Sequence, residues 1–84
     1  MLEVRFFARL REALERDRIS LPLESPGLTV EELLSALDAE IPGARAQLTA
    51  PGIRLAVNQA FVEDLGFALK PGDEVAFLPP VTGG

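Results

Sequence analysis

Neither cysteine nor histidine occurs anywhere in the 84 residues, and tryptophan and tyrosine are missing as well. The first absence removes disulfides, thiolate nucleophiles and thiolate metal ligands together. The second removes the usual general base near neutral pH and the commonest metal ligand, so no metal site is expected. Lysine is nearly absent: the basic residues are arginines except Lys70, which lies in a turn signal rather than in the desolvated setting that a Schiff-base lysine needs. Thirteen carboxylates against eight cations give a net charge of −5, which argues against nucleic acid as a partner and for an electropositive protein surface. No apolar run approaches the ~20 residues of a membrane span, and Met1-Leu2-Glu3-Val4-Arg5 does not read as a secretory leader. A soluble, cytoplasmic chain with no membrane partner is the expectation. Paired carboxylates would need a pocket that one domain with a modest core does not supply, so an enzyme acting alone is not expected.

What is present alternates between strand and helix signals. Leu2, Val4, Phe6 and Ala8 share one face of a first strand, with Glu3, Arg5 and Phe7 on the other. Residues 8–16 favour a short helix with Leu10, Ala13 and Leu14 on one stripe. A second strand follows over 17–24, pairing back on the first, and Pro22 inside it points to a sheet edge. Ser25-Pro26-Gly27 is a turn, and Thr29-Val30-Glu31-Glu32 has the form of a capping box opening the main helix. Val30, Leu33, Leu34, Leu37 and Ile41 recur at helical spacing until Pro42-Gly43 closes it. Its acidic residues Glu31, Glu32, Asp38 and Glu40 read as solvated helix charges rather than metal ligands. A helical turn over 43–48, a strand through Ile53, Leu55 and Val57, a turn at Asn58-Gln59 and a brief strand at Phe61-Val62 come next. The chain then crosses over between Leu65 and Leu69 and turns at Lys70-Pro71-Gly72-Asp73.

The last strand, Glu74 to Leu78, runs into Pro79-Pro80-Val81-Thr82-Gly83-Gly84. Two prolines have no N–H and a fixed φ, so they end sheet pairing and set an extended path. Six residues at ~3.1 to 3.5 Å each would reach roughly 15 to 20 Å. Gly83 and Gly84 carry no side chain, so a terminal carboxylate at Gly84 would fit a narrow cleft and present an unshielded carbonyl carbon. The organisation expected is therefore a body over 1–78 and an extended tail over 79–84.

Strands at both ends and one long helix between them give an α+β, ubiquitin-like β-grasp plan: a mixed sheet packed on one main helix, with additional short helices and the first and last strands in the middle. If those two strands are parallel neighbours, Phe6 and Phe77 point into the core while Phe7 and Leu78 share the opposite face. Phe61 would extend that apolar patch and Arg11 would stand at its rim; such patches mark partners.

Three stretches resemble the MoaD family of sulfur carriers, the small subunit of molybdopterin synthase: Phe6-Phe7-Ala8-Arg9-Leu10-Arg11-Glu12, Val57-Asn58-Gln59, and the run from Gly72 through Phe77-Leu78-Pro79-Pro80 to Gly83-Gly84. The resemblance implies that a MoeB-like enzyme of the ubiquitin-activating class adenylates the Gly84 carboxylate with ATP and Mg²⁺, no cofactor being bound by the carrier itself. A sulfur donor then makes a thiocarboxylate. The tail enters a MoaE-like large subunit, in an expected heterotetramer, where the sulfur passes to a pyranopterin precursor. By position, Phe7, Arg11, Phe61 and Leu78 would form the partner surface, Leu78 standing where phenylalanine is common. Other readings are a ThiS-like carrier, a carrier for tRNA thiolation, or a ubiquitin-like protein modifier.

Overall fold

A computed structural model of the chain describes residues 1–80. Alternating apolar residues build β1 (Leu2–Phe6), with Leu2, Val4 and Phe6 buried. The strand was expected to reach Ala8, but Ala8 takes a φ of 52° and turns the chain into α1 (Arg9–Leu14). Phe7 still donates its N–H to the Phe77 carbonyl at 3.3 Å, so the pairing outlasts the strand by one residue. β2 (Arg18–Leu21) pairs antiparallel with β1 at a sheet edge, and Pro22 ends it rather than interrupting it.

The capping box at Thr29 forms as its sequence dictates. The Glu32 N–H donates to Thr29 Oγ1 at 3.1 Å, and the Thr29 N–H donates to Glu32 Oε1 at 2.9 Å. These bonds from Thr29 favour the ionised carboxylate and hold the Glu32 pKa below its ordinary value. They open α2 (Val30–Glu40), whose Val30, Leu33, Leu34 and Leu37 are buried. α3 (Ala44–Leu48) follows, tied to α2 by an Arg45–Glu31 ion pair and by the Arg45 N–H donated to Asp38 at 3.0 Å. Three of the four acidic side chains singled out on this helix thus do local structural work.

β4 (Arg54–Val57) and β5 (Ala60–Val62) form a hairpin. Its turn residues Asn58 and Gln59 have φ of 50° and 71°, the two positive values that a type I′ turn requires. The stretch read as a crossover contains a strand of its own: β6 (Ala68–Leu69) pairs antiparallel with β3 (Leu28–Thr29) in a second, two-stranded sheet. Carbonyls of Leu65 and Phe67 accept the Glu31 and Val30 N–H groups, each at 3.0 Å, satisfying donors at the start of α2. β7 (Glu74–Leu78) has the bounds read from the sequence.

The main sheet runs β2-β1-β7-β4-β5, with β1 and β7 parallel and both interior. Its inner face packs on the helices. Phe6 and Phe77, paired in register, are buried and stacked with ring centroids 6.2 Å apart. Each such ring contributes about 1.5–3 kcal/mol by leaving water. This is the expected α+β β-grasp architecture, and no helix of the described residues is long and apolar enough to cross a membrane.

The end of β7 farther from the prolines is locked by Asp73, only 3% exposed. Its carboxylate accepts from the Lys70 N–H at 2.9 Å, Lys70 Nζ at 2.7 Å and Asn58 Nδ2 at 2.9 Å. Asn58 in turn accepts the Glu74 N–H at 2.9 Å, so the hairpin turn and the turn before β7 are one network. Burial raises the Asp73 pKa, but the bonds from Lys70 and Asn58 outweigh it and leave the value below the ordinary 3.8. The Lys70 side chain is 66% exposed, so the ion pair is screened and the buried hydrogen bonds matter more.

Two consequences are measurable by urea denaturation. Asp73→Ala strands donors of Lys70 and Asn58 and should cost about 2–3 kcal/mol, whereas Lys70→Ala should cost less than about 1 kcal/mol. A folded pKa below the unfolded one means that the carboxylate's contribution is complete above pH 3.8 and is withdrawn as pH falls through the folded value. The stability gap between the native chain and Asp73→Asn should therefore hold from neutral pH to about 4 and narrow below it.

Candidate functional site: the open face of the sheet and the base of the tail

Strand parity decides what the outer face carries. Because Val4, Phe6, Val75 and Phe77 point inward, Glu3, Arg5 and Phe7 of the first strand and Glu74, Ala76 and Leu78 of the last point outward. Extending the β1–β7 register by one residue sets Phe7 beside Leu78, and Leu78 faces Arg54 on β4. The neighbouring row reads Arg18, Arg5, Ala76, Ala56, Phe61 across all five strands. Phe61 is 58% exposed, Phe7 36%, and Leu78 is half-buried. Phe7 and Phe61 stand three strand spacings and one row apart, with Leu78 and Arg54 beside Phe7 in its row and Ala76 and Ala56 beside Phe61 in the other. The result is a shallow apolar saddle between two aromatic rings.

Phe7, Phe61 and Leu78 are thus brought together on one face. Arg11 is exposed on α1, which begins two residues after Phe7. Two other arginines sit on the saddle itself. The Arg54 guanidinium carbon lies 3.7 Å from the Phe61 ring centroid, and that of Arg5 lies 5.2 Å from the Phe7 ring centroid. Each of the two exposed rings therefore has a guanidinium over it. Sequence reasoning named neither arginine as a contact residue. The signal available was parity, since Arg5 shares a face with Phe7 as the i, i+2 neighbour.

The saddle adjoins the tail's point of departure. Pro79 and Pro80 are half-buried, and Pro80 lies against Gly52 so closely that a Cβ at position 52 would meet its ring at 2.9 Å. Gly52 also has a φ of 89°, a second reason for glycine there. Pro80 is thus braced on the body at Gly52. Val81, Thr82, Gly83 and Gly84, the remaining tail residues named from the sequence, lie outside the described residues.

An apolar recess of about 340 Å³ opens between the helices and the β4–β5 edge, lined by Val30, Leu34, Leu48, Ile53 and Leu65 among others. The two carboxyls with lowered pKa, Glu32 and Asp73, do not line it; they serve a helix cap and a turn. Among the described residues no group of three or more acidic, His or Cys side chains is placed to hold a metal ion.

Residues 4–84 match the ThiS family. The molybdopterin synthase sulfur carrier subunit of Escherichia coli (strain K12) is 39% identical over 84 residues, with the whole of both chains covered. Among solved structures, SAMP1 of Haloferax volcanii, a small archaeal modifier protein, superposes with a TM-score of 0.83 at 28% identity over 99% of this chain and 98% of that one. A complex of subunits 1 and 2 of molybdopterin-converting factor from Helicobacter pylori 26695 holds a chain that matches with a TM-score of 0.67 at 28% identity, covering 99% and 97%. With the match running from Val4 within β1 to Gly84, the chain belongs to the ThiS family, among relatives that include molybdopterin synthase sulfur carrier subunits.

Proposed function

We propose that the chain is a sulfur carrier of molybdenum cofactor biosynthesis, acting through the carboxylate of Gly84. The observation that carries this reading is the adjacency of the Phe7–Leu78–Phe61 saddle to a tail base braced by Gly52: whatever docks on the saddle sits beside Pro79 and Pro80, where the tail begins. Full-length identity of 39% to a sulfur carrier subunit supports it.

A carboxylate is a poor electrophile. An activating enzyme of the MoeB type, using ATP and Mg²⁺, joins it to AMP with release of pyrophosphate. A sulfur donor then displaces AMP and leaves a thiocarboxylate. The large subunit of molybdopterin synthase binds the saddle, takes the tail into its own active site and passes the sulfur to the pyranopterin precursor. Two carriers and two large subunits make the assembly, in the cytoplasm. The carrier supplies no catalytic side chain; it presents a reactive end and a docking face. Likeness to a two-subunit complex of molybdopterin-converting factor supports the large-subunit partner.

The likeness to an archaeal modifier favours one second reading, conjugation of Gly84 to a target lysine. Intact-mass analysis of the chain after reaction with the activating enzyme and a sulfur donor separates the two. Exchange of one oxygen for sulfur marks a carrier, and an isopeptide-linked adduct marks a modifier.

Deleting Gly84 should abolish sulfur transfer and leave the far-ultraviolet circular dichroism and thermal midpoint unchanged, since the described core extends no further than Phe77; continued molybdopterin formation by the truncated chain would sink the proposal. Phe7→Ala should weaken binding to the large subunit by about 1–3 kcal/mol in calorimetric titration. Gly52→Ala should behave differently. It displaces Pro80, so turnover in reconstituted synthase should fall by more than affinity does, and equal losses in both would separate Gly52 from tail placement.

A further inference from the structure

The chain as a whole is acidic, yet the saddle is not. Arg5, Arg18 and Arg54 all project from the half of the open face nearer Pro79, while the acidic side chains Glu3 and Glu74 share the next row, toward the other end. Among the described residues the ion pairs are Arg45–Glu31 and Lys70–Asp73, so none of these three arginines is neutralised by a carboxylate, Glu63 at the end of β5 included. Arg5 and Arg18 are moreover direct cross-strand partners, a like-charge pairing from which folding gains nothing. The net charge of −5 led to the expectation of an electropositive partner; at the docking face the polarity is the reverse.

From this we infer that the saddle selects a partner surface in which an apolar recess is flanked by carboxylates, with Arg5 and Arg54 as the selecting groups. The inference rests on the carrier reading and specifies the chemistry of the partner's side of that contact. The Arg54 guanidinium lies over the Phe61 ring and that of Arg5 over the Phe7 ring, and a guanidinium over an aromatic face keeps N–H groups for paired hydrogen bonds to a carboxylate. A stacked arginine is already ordered, so less side-chain freedom is lost when the carboxylate arrives. The aromatic rings supply contact area and the cations on them supply polarity. Acidic residues at the far end of the face then disfavour the inverted docking, which would point the tail away from the partner's active site. An anionic polymer does not fit as the occupant, because the rest of the chain repels it.

The test is the association rate of the full-length chain with the purified large subunit of molybdopterin synthase from the same organism, measured by stopped flow at low and at raised ionic strength. The native rate should fall as salt rises. Arg5→Glu and Arg54→Glu should each slow association by about tenfold or more at low salt, and Arg5→Gln and Arg54→Gln by less. Arg16→Glu carries the same change in charge beside Glu40 and Pro42 on the helical side and should stay within about twofold of native. The glutamine variants add no repulsion at the stacked positions and serve if a reversal fails to fold. A native rate indifferent to salt, or equal slowing by Arg5→Glu, Arg54→Glu and Arg16→Glu, would overturn the inference while leaving the carrier reading intact. Absence of any complex with the native chain would instead remove the carrier reading, and this inference with it.

Discussion

The parallel ladder between β1 and β7 is the constraint on which the rest depends. One register, Val4 opposite Val75 and Phe6 opposite Phe77, sends two aromatic rings into the core and in the same stroke turns Phe7 and Leu78 outward. A slip of β1 by one residue would exchange its two sets, burying Glu3 and Arg5 and exposing Val4 and Phe6. The cost of burying those charges makes the register all but obligatory. The make-up of the open face is therefore a by-product of core packing. No separate device is needed to place Phe7 beside the tail, because the strand that fills the core with Phe77 is the strand that becomes the tail.

β7 is held at both ends, by different means. At its start the buried Asp73 carboxylate and Asn58 knot two turns together through hydrogen bonds, and at its finish Pro80 rests on the bare backbone of Gly52. A strand fixed at one end transmits fraying to whatever follows it. With both ends fixed, β7 is held along its whole length as far as Pro80. The two braces come from neighbouring parts of the fold: Asn58 and Gly52 flank β4, the antiparallel neighbour of β7. β4 thus pairs with the strand, latches its beginning and seats its end.

Much of this was legible in the sequence where one physical rule dominates. α2 has a capping box, helical spacing and a Pro-Gly stop that agree, and β7 alternates between a turn and two prolines; the structure reproduces both. Elements governed by long-range contacts were less legible. β3 and β6 have two residues each, too few for periodicity, and exist because the 65–69 segment must satisfy donors at the head of α2. The early end of β1 depends on a positive φ at Ala8, a residue with no preference for it. At the site, aromatic residues among charges stood out, so Phe7 and Phe61 were read. Arg5 and Arg54 were not, because an arginine on a strand looks solvated until its neighbour across the sheet is known. The contact of Pro80 with Gly52 joins positions 28 residues apart and has no local signature.

The composition that looked like a lack of chemistry fits the proposed role in a more pointed way. A chain that carries an activated acyl group at its own end is exposed to capture by its own nucleophiles, and the side chains most able to do so near neutral pH are cysteine, histidine and lysine. This chain has none of the first two and one of the third. The single lysine is engaged: Lys70 Nζ lies 2.7 Å from the buried Asp73 carboxylate, in the network that secures β7. Positive charge is supplied instead by arginine, whose guanidinium stays protonated and does not attack acyl groups. The preference for arginine thus serves two ends in the proposed role. It keeps the body inert toward the acyl group carried at its terminus, and it places on Phe7 and Phe61 the planar cations best suited to a carboxylate-flanked recess. Inertness and recognition then follow from one choice of cation.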